Sequence, residues 1–439
     1  MFRSKEEQGV LKSFAKFIAG NLLRLVDNPK RLLCFGEPMF WLMDFRNLAG
    51  QSRTPAKVAI FKLDRLGDVV LCSQMLAGLR RAWPESRITL FVRESLVELA
   101  RLCPDVDEVI GVPVVERIML FDQNPGGYGS WKRQLVKWVI YCHSGKLWKR
   151  RFDVALVPRW DIDYYGTIPL VYLTGAPKRW GVTETATVRK AVSNRGFDQL
   201  LTNVVEGEGV RHEFLLNESF LLALGLKSHG DRKLVSWVVK PDREKAADIM
   251  AAAGVVTSKL TVVLCMGAGL KNRMWPVESY ARLCGTVFDL EKVQLVTLGT
   301  TAEKGLGLQL RKMLGNTVIN LEGKLPLRLL PAAVSLGALY IGSDTGTMHL
   351  AVAVGLPVFE ISCHPLDGEA YWGESPLRFG PWGVINRVVQ PEKATAPCKK
   401  HCASREPHCI LGVSVERAAT ALDSLLDEIG FFKYPDQLL

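Results

Sequence analysis

Long apolar runs are missing from this sequence of 439 residues, since none approaches the roughly 18 residues that a membrane-spanning helix needs. The segment Met1 to Gln8 lacks the apolar stretch of a secretory signal. Low-complexity tracts are absent as well, and 48% hydrophobic with 23% charged residues is typical of a globular chain long enough for two domains. We therefore expect a cytoplasmic protein with at least two domains.

A disulfide framework is also excluded, because most of the ten cysteines stand singly inside apolar runs, as Cys72, Cys265 and Cys284 do. Buried thiols of this kind indicate a reducing compartment. The exception is a group of three near the carboxyl end.

Cys398, Cys402 and Cys409 lie within twelve residues of one another. Three close thiols in a reducing compartment predict a tetrahedral structural metal site. The fourth ligand is open among Cys363, which we favour, and the histidines His364, His401 and His408. The alternative is a cluster of free thiols that stabilises the end of the chain.

Acidic residues are fewer than basic ones, which gives a formal net charge of +11 and a pI near 9.1. This balance favours an anionic partner such as nucleic acid, a phospholipid surface or a phosphorylated glycolipid. Basic and aromatic residues alternate only once, within 131–151, and no nucleic-acid motif accompanies them. We therefore expect no nucleic-acid partner.

The segment 1–54 precedes the regular part of the chain. Between Leu11 and Arg31, apolar residues recur at steps of three and four opposite lysines and arginines, which predicts a basic amphipathic helix. Such a helix packs against the body of the protein or a subunit, or it docks on an anionic membrane surface. Both interpretations stay open here, and the second makes the protein peripheral on the inner face of the cytoplasmic membrane.

From Lys57 onward, short β-prone runs alternate with runs of helical spacing, which predicts an α/β fold with parallel sheets. A boundary near Val235 separates an N-terminal domain, 55–235, from a C-terminal domain, 236–439. No Gly-x-Gly-x-x-Gly follows the first strand, which argues against a dinucleotide-binding dehydrogenase. Strands are expected at 58–61, 88–92, 154–157, 260–264, 293–297 and 338–341.

Polar turns with glycine follow three of the later strands, at 267–273, 299–303 and 342–349. The carboxyl ends of parallel strands share one sheet edge, and a helix that starts near Thr347 directs backbone N–H groups at an anion placed there. A diphosphate is the expected ligand. Lys271 or Arg273 supplies positive charge, and Glu303 is placed to bind ribose hydroxyls. The alternative is that the residues of the third turn only cap its helix.

A polar and aromatic cluster follows the strand at 154–157. It is of the kind that binds a sugar, although ordinary anchoring of a loop explains it equally well. The residues that we propose for acceptor binding are Arg159, Trp160, Asp161 and Asp163.

Several separated motifs, in this order, resemble glycosyltransferase family nine, the ADP-heptose heptosyltransferases of lipopolysaccharide core assembly. They are Lys62 to Leu71, Arg273 to Pro276, Glu303, and Gly342 to Leu350. The resemblance implies a GT-B architecture of two Rossmann-like domains, with the nucleotide-sugar held mainly by the second and the acceptor by the first. By position, Asp68 matches the catalytic base, Arg273 the phosphate-binding cation and Glu303 the ribose-binding acid. The diphosphate loop matches Asp344, Thr345, Gly346 and His349.

The resemblance implies transfer of a heptose from an ADP-activated donor to a glycan hydroxyl, such as that of lipopolysaccharide core, with inversion and without a metal in the chemistry. Family members often carry C-terminal cysteines, and protein-modifying heptosyltransferases bind iron there, so the cluster is expected to hold zinc or iron. Alternatives are a protein hydroxyl as acceptor, or a non-catalytic nucleotide-binding scaffold. A carboxylate at Asp68 favours an enzyme, although an aspartate there is also a good helix N-cap.

Overall fold

A computed structural model describes residues 54–114, 150–163, 165–194, 196–207, 209–227 and 232–431, together with 30, 33, 34 and 147. The predicted amphipathic helix between Leu11 and Arg31 lies almost wholly outside the described residues, and so does most of 121–151. In the part of the chain that is described, no helix is long and apolar enough to cross a membrane.

Two six-stranded parallel sheets organise the chain. β-branched and other apolar residues form short buried runs, which suit strands that are covered on both faces. The first sheet contains β1 Lys57–Phe61, β2 Arg87–Arg93, β3 Glu108–Val112, β4 Val154–Val157, β5 Lys178–Val182 and β6 Asn203–Val205. The second contains β7 Leu260–Cys265, β8 Val293–Thr297, β9 Val318–Asn320, β10 Leu339–Gly342, β11 Val358–Ile361 and β12 Asn386–Val389.

Both sheets have the same strand order. The first runs β3-β2-β1-β4-β5-β6, and the second, read from its other edge, runs β9-β8-β7-β10-β11-β12. Each sheet thus begins at its centre and grows first to one side and then to the other, as in dinucleotide-binding folds. The predicted α/β class with two Rossmann-like sheets is confirmed.

Helices cover the sheets and connect their parallel strands. Those of the first half are α1 Leu66–Leu71, α2 Ser73–Ala82, α3 Val97–Ala100, α4 Thr167–Leu173, α5 Val188–Asn194 and α6 Glu213–Ala223. Those of the second half are α7 Lys240–Ala252, α8 Val277–Val287, α9 Lys304–Leu314, α10 Leu330–Val334, α11 Gly346–Ala353, α12 Pro376–Phe379 and α13 Val415–Ile429.

Alternation along β7 shows how the second core is built. Val262 and Leu264 face a layer that includes α8 and α13, whereas Val263 faces α7, α10 and α11. Because successive strand residues point to opposite faces, one continuous apolar run serves both layers. The first sheet is covered in the same way, with α2 and α6 on one face and α4 on the other.

The helix after β1 differs from its prediction. The helical spacing of apolar residues from Val69 to Trp83 predicts one helix, but the chain forms α1 from Leu66 and then α2, with Cys72 between them. Asp68 is therefore not the N-cap residue. It stands in the first turn of α1, where its Oδ2 accepts the backbone N–H of Arg65 at 3.2 Å. A carboxylate at this position satisfies an amide that the helix leaves unpaired.

Candidate active site

Each sheet has a point where the strand order reverses, between β1 and β4 in the first and between β7 and β10 in the second. The turns that follow these strands diverge and leave a crevice at the carboxyl edge, where open α/β sheets bind ligands. All of the sequence motifs after β1, β4, β7 and β10 lie at these two points.

The two points meet through the first turns of α1 and α11. A Cβ added to Gly67 would lie 2.5 Å from His349 Cδ2, and one added to Gly346 would lie 2.7 Å from Leu66 Cγ. Only glycine permits helices to approach this closely. The contact places α1, the helix that carries Asp68, against α11, the helix that follows the turn Gly342–Thr345.

Arg273 is the central cation on the second domain. Its guanidinium lies 2.6 Å from Glu374 Oε1 and 3.5 Å from Asp344 Oδ2, and its carbonyl accepts the hydroxyl of Ser343 at 3.0 Å. Burial by itself lowers the pKa of Arg273, but the charges of Asp344 and Glu374 outweigh it and hold this pKa above its usual range. Arg273 therefore stays charged and fixed in one orientation.

Asp344 begins the turn into α11, and His349 lies one turn further on. His349 Nε2 is 3.6 Å from Asp344 Oδ1. Burial alone raises the pKa of Asp344, but the nearby imidazole of His349 and the charge of Arg273 hold it below its usual value. Thr345 is the N-cap residue of α11, and its hydroxyl lies 3.2 Å from the hydroxyl of Tyr340. The helix thus begins at Gly346, one residue before the predicted start.

Glu303 follows β8 and reaches back over the turn after β7. A Cβ on Gly267 would collide with its carboxylate, and one on Gly299 would lie 3.0 Å from Oε2. The same carboxylate accepts the backbone N–H of Thr300 at 2.6 Å and its hydroxyl at 2.9 Å. Glu303 is thereby fixed next to the turn that begins at Gly267.

Lys271 is not brought together with these groups. It is exposed and pairs with Glu406 at 3.1 Å, on the segment that carries the cysteines. Of the two cations predicted for the donor, only Arg273 lies with Asp344.

The predicted acceptor residues are largely engaged by the protein itself. Trp160 is 4% exposed and packs among apolar residues in the core of the first domain. Asp163 is buried, and its Oδ2 accepts the N–H of Ile168 in the first turn of α4. Arg159 pairs with Asp64, which also lies 3.2 Å from Lys62.

Asp161 pairs across the two domains. Its Oδ2 lies 3.1 Å from Arg378, which also pairs with Glu213. Burial raises the pKa of Asp161, but Arg378 and Arg159 more than compensate and lower it. Asp161 and Asp163 also form an Asp-x-Asp sequence, yet each carboxylate already has a protein partner.

Glu374 and Arg378 were missed by the sequence reasoning. Both lie between β11 and β12, Glu374 in a loop and Arg378 in the four-residue helix α12, where no periodicity marks a functional position. The only signal was their charge in a segment otherwise rich in glycine, proline and aromatics.

The cysteine cluster forms in the structure, with His408 in place of the favoured Cys363. Ligand atoms of Cys398, Cys402, His408 and Cys409 all lie within 4.8 Å of one another, and His408 Nδ1 is 3.6 Å from two of the sulfurs. The edge of a tetrahedral zinc–thiolate site is about 3.8 Å, for bonds of about 2.3 Å. Three thiols and one imidazole at this spacing fit a tetrahedral metal ion.

Cys363 follows β11 and lines the hollow beside Arg273 instead. Burial raises its pKa above the usual range despite the nearby charge of Arg273. It is therefore a buried thiol in the turn after β11, outside the cluster of four.

Comparison with known proteins agrees with this geometry. Residues 210–408 match the family described as glycosyltransferase family 9 (heptosyltransferase). A family 9 glycosyltransferase from Veillonella parvula aligns over 86% of this chain and all of its own, at 19% identity and a TM-score of 0.63. No curated protein matches the sequence.

Two solved structures from E. coli show the same fold. ADP-heptose lps heptosyltransferase II aligns over 85% of this chain and 99% of its own, at 17% identity and a TM-score of 0.58. Heptosyltransferase WaaC, solved with ADP, has the same coverage and TM-score at 15% identity.

Two parallel sheets of equal order, joined at their switch points, are the architecture of the GT-B class of glycosyltransferases. Residues 210–408 carry the match to glycosyltransferase family 9 that the motifs predicted, and the two sheets have the fold of that class.

Proposed function

We propose that the protein transfers a heptose from an ADP-activated donor to a hydroxyl of a glycan acceptor, with inversion at the anomeric carbon. The observation that carries this proposal is the contact of α1 with α11, which sets Asp68 opposite Asp344 and Arg273. One carboxylate and one anion site, facing each other across a cleft, are what an inverting displacement needs.

The donor is assigned to the second domain. The N-terminus of α11, with N–H groups of Gly346 and Thr347, receives the diphosphate, and Arg273 adds a fixed cation. Glu303 binds ribose hydroxyls from the neighbouring turn. A heptose linked to ADP is supported by the family match and by the E. coli structures, one of which is solved with ADP.

In the reaction, the acceptor hydroxyl gives its proton to the carboxylate of Asp68, its oxygen bonds to the anomeric carbon, and the bond from that carbon to the diphosphate breaks. ADP leaves with both electrons of that bond. Asp64 and Asp161 are paired with cations and Asp163 is buried, whereas Asp68 is only partly buried and lies on the helix that contacts α11. Asp68 is therefore the best-placed base.

The acceptor class is proposed as lipopolysaccharide core, because a basic chain suits a phosphorylated glycolipid. The cysteine cluster is proposed to hold structural zinc or iron, away from the reacting atoms. Neither assignment enters the chemical step.

Substitution Asp68→Asn tests the proposed reaction. Asn still accepts the Arg65 N–H and keeps α1 capped, but it cannot take a proton. We expect near-normal melting and ADP affinity, with turnover reduced on the order of a hundredfold to ten-thousandfold. Product is measured by mass spectrometry with ADP-heptose and candidate acceptors, with other nucleotide-sugars as controls. A variant that keeps more than a tenth of wild-type turnover would exclude Asp68 as the base.

A further inference from the structure

The cations at the proposed donor site are already paired with carboxylates, so they do not balance the charge of a bound diphosphate. Arg273 lies between Asp344 and Glu374, so two carboxylates already balance its charge. Lys271, the other cation of that turn, is paired with Glu406. A diphosphate placed at the start of α11 brings additional negative charge, which the helix N-terminus offsets only in part.

Arg65 is the cation positioned to complete this balance. It is exposed, and no carboxylate of the described residues forms an ion pair with it. Its side chain crosses from the first domain to the second, because a Cβ on Gly269 would lie 3.2 Å from Arg65 Nη1. Gly269 belongs to the turn after β7, at the switch point of the second sheet.

A second observation places Arg65 close to the donor loop. Burial raises the pKa of the partly buried Asp344, and the positive charge of Arg65 is one of the influences that lower it, after His349 and Arg273. The guanidinium therefore faces the space between the turn at Gly269 and the turn at Asp344, which is where the diphosphate is assigned.

We propose that Arg65 binds the diphosphate of the nucleotide donor from the opposite domain and neutralises it as it leaves. This inference rests on the proposed function. A guanidinium suits the role because it offers several N–H donors to phosphate oxygens at once.

Arg65 lies next to the helix that carries the proposed base, and it also reaches the proposed site of the leaving group. Arg65 directly precedes α1, and its backbone N–H is bound by Asp68 Oδ2 at 3.2 Å. One turn of the chain thus carries the base on one residue and the leaving-group cation on another. The donor site is complete only while α1 lies against α11, so binding of the diphosphate favours that contact.

Calorimetric titration with ADP and with adenosine tests the proposal on the full-length protein. For Arg65→Gln we expect the dissociation constant for ADP to rise roughly tenfold to hundredfold, because a charge-assisted hydrogen bond is lost. Adenosine affinity is expected to stay the same, and Arg65→Lys is expected to recover part of the ADP affinity. Arg101→Gln removes an exposed arginine from the same domain and serves as the matched control with wild-type affinity.

The outcomes separate the two proposals. Wild-type protein that binds no ADP overturns the proposed function and this inference with it. Wild-type protein that binds ADP, together with Arg65→Gln of unchanged affinity, overturns this inference alone. Equal losses for ADP and adenosine, or a melting temperature lowered along with affinity, assign Arg65 a structural role and also overturn it.

Discussion

At the switch point of the first sheet, charged side chains satisfy one another: Asp64 lies between Lys62 and Arg159, and Asp161 pairs with Arg378. At the second switch point, carboxylates crowd around a single cation. The equal strand order of the two sheets therefore does not produce equal sites. In the first domain the charges are paired with one another, and Asp68 and Arg65 lie at the edge of this paired group. In the second domain carboxylates outnumber the cation, an imbalance that is expected where a charged ligand binds.

This comparison also changes how the acceptor residues are understood. Residues after β4 were predicted to bind a sugar, yet the structure uses them for packing, a helix cap and ion pairs. If the ion pairs of the first domain are structural, breaking them should lower the free energy of unfolding more than it lowers ligand affinity. Breaking the charge balance of the second domain should do the opposite.

The largest expected effect follows removal of Arg378. It is 4% exposed and pairs with Asp161 at 3.1 Å and with Glu213, so Arg378→Met removes the cation from the buried Glu213 and the partly buried Asp161. Breaking a buried pair in this way costs about 3–5 kcal/mol of unfolding free energy. Chemical denaturation followed by fluorescence measures this loss.

The control for this prediction is Arg387→Met. Arg387 pairs with Glu428 at 2.6 Å on the surface, where both side chains are more than a third exposed. A surface pair contributes about 0–1 kcal/mol. Equal, small losses in the two variants would contradict the interpretation of Asp161 and Arg378 as a structural pair and return Asp161 to the acceptor residues.

A smaller effect is expected at Glu360, on β11 beside the donor loop. Glu360 is fully buried, and neither carboxylate oxygen has a hydrogen-bond partner among the described residues. Burial, and then the charge of Asp344, raise the pKa of Glu360 well above its usual value, while Arg273 opposes this. The folded protein therefore holds a proton on Glu360 that the unfolded chain releases above about pH 4.5.

The proton on Glu360 makes the stability of the folded protein depend on pH. Where the folded state binds more protons than the unfolded state, stability falls as pH rises. Glu360→Gln resembles the protonated acid and removes this loss. We expect its melting temperature to exceed that of the wild type by a few degrees at pH 8 and to equal it near pH 4.5. Glu278→Gln, an exposed site on α8, is the control; a difference that does not vary with pH would contradict the buried proton.

Most of the strands and several helices could be predicted from the sequence for a physical reason. Strands such as Val154–Val157 and Val293–Thr297 are short, wholly buried runs between turns, and α4 follows its helical spacing from Thr167 to Leu173. Local pattern suffices where burial on both faces dictates residue type. The turns after β7, β8 and β10 were located for the same reason, since each follows a recognisable strand.

What could not be predicted depends on contacts between distant segments. Glu374 joins Arg273 across a hundred residues of chain, and Arg378 reaches Asp161 from the other domain. Trp160 was assigned to a sugar because an aromatic residue beside charges suits both a binding site and a core. His408 replaced Cys363 as the fourth member of the cluster because proximity of the ligand atoms, rather than residue type, decides which side chains meet.

The smallest expected effect links the cysteine cluster to the donor site. Between Cys398 and Cys409, the chain contacts the turn that carries Arg273: Asn272 Nδ2 donates to the carbonyl of Cys402 at 3.3 Å, and Lys271 pairs with Glu406. A metal ion that fixes this segment therefore also fixes the turn. Removing it with a chelator should weaken ADP binding about threefold to fivefold, at the lower end of typical couplings between sites.

Linkage requires the converse as well: ADP should strengthen metal retention by the same factor. Elemental analysis of protein purified without chelator, followed by competition with a zinc-binding dye in the presence and absence of ADP, measures both quantities. Asn272→Ala removes the hydrogen bond between the two segments and should reduce the coupling without changing metal content. Zinc and iron both far below one per chain would reject the metal, whereas full occupancy with an ADP affinity that chelation leaves unchanged would show that the cluster stabilises only its own segment. Because the segment contacts the donor turn through one hydrogen bond and one exposed ion pair, a coupling much larger than fivefold is not expected from these contacts.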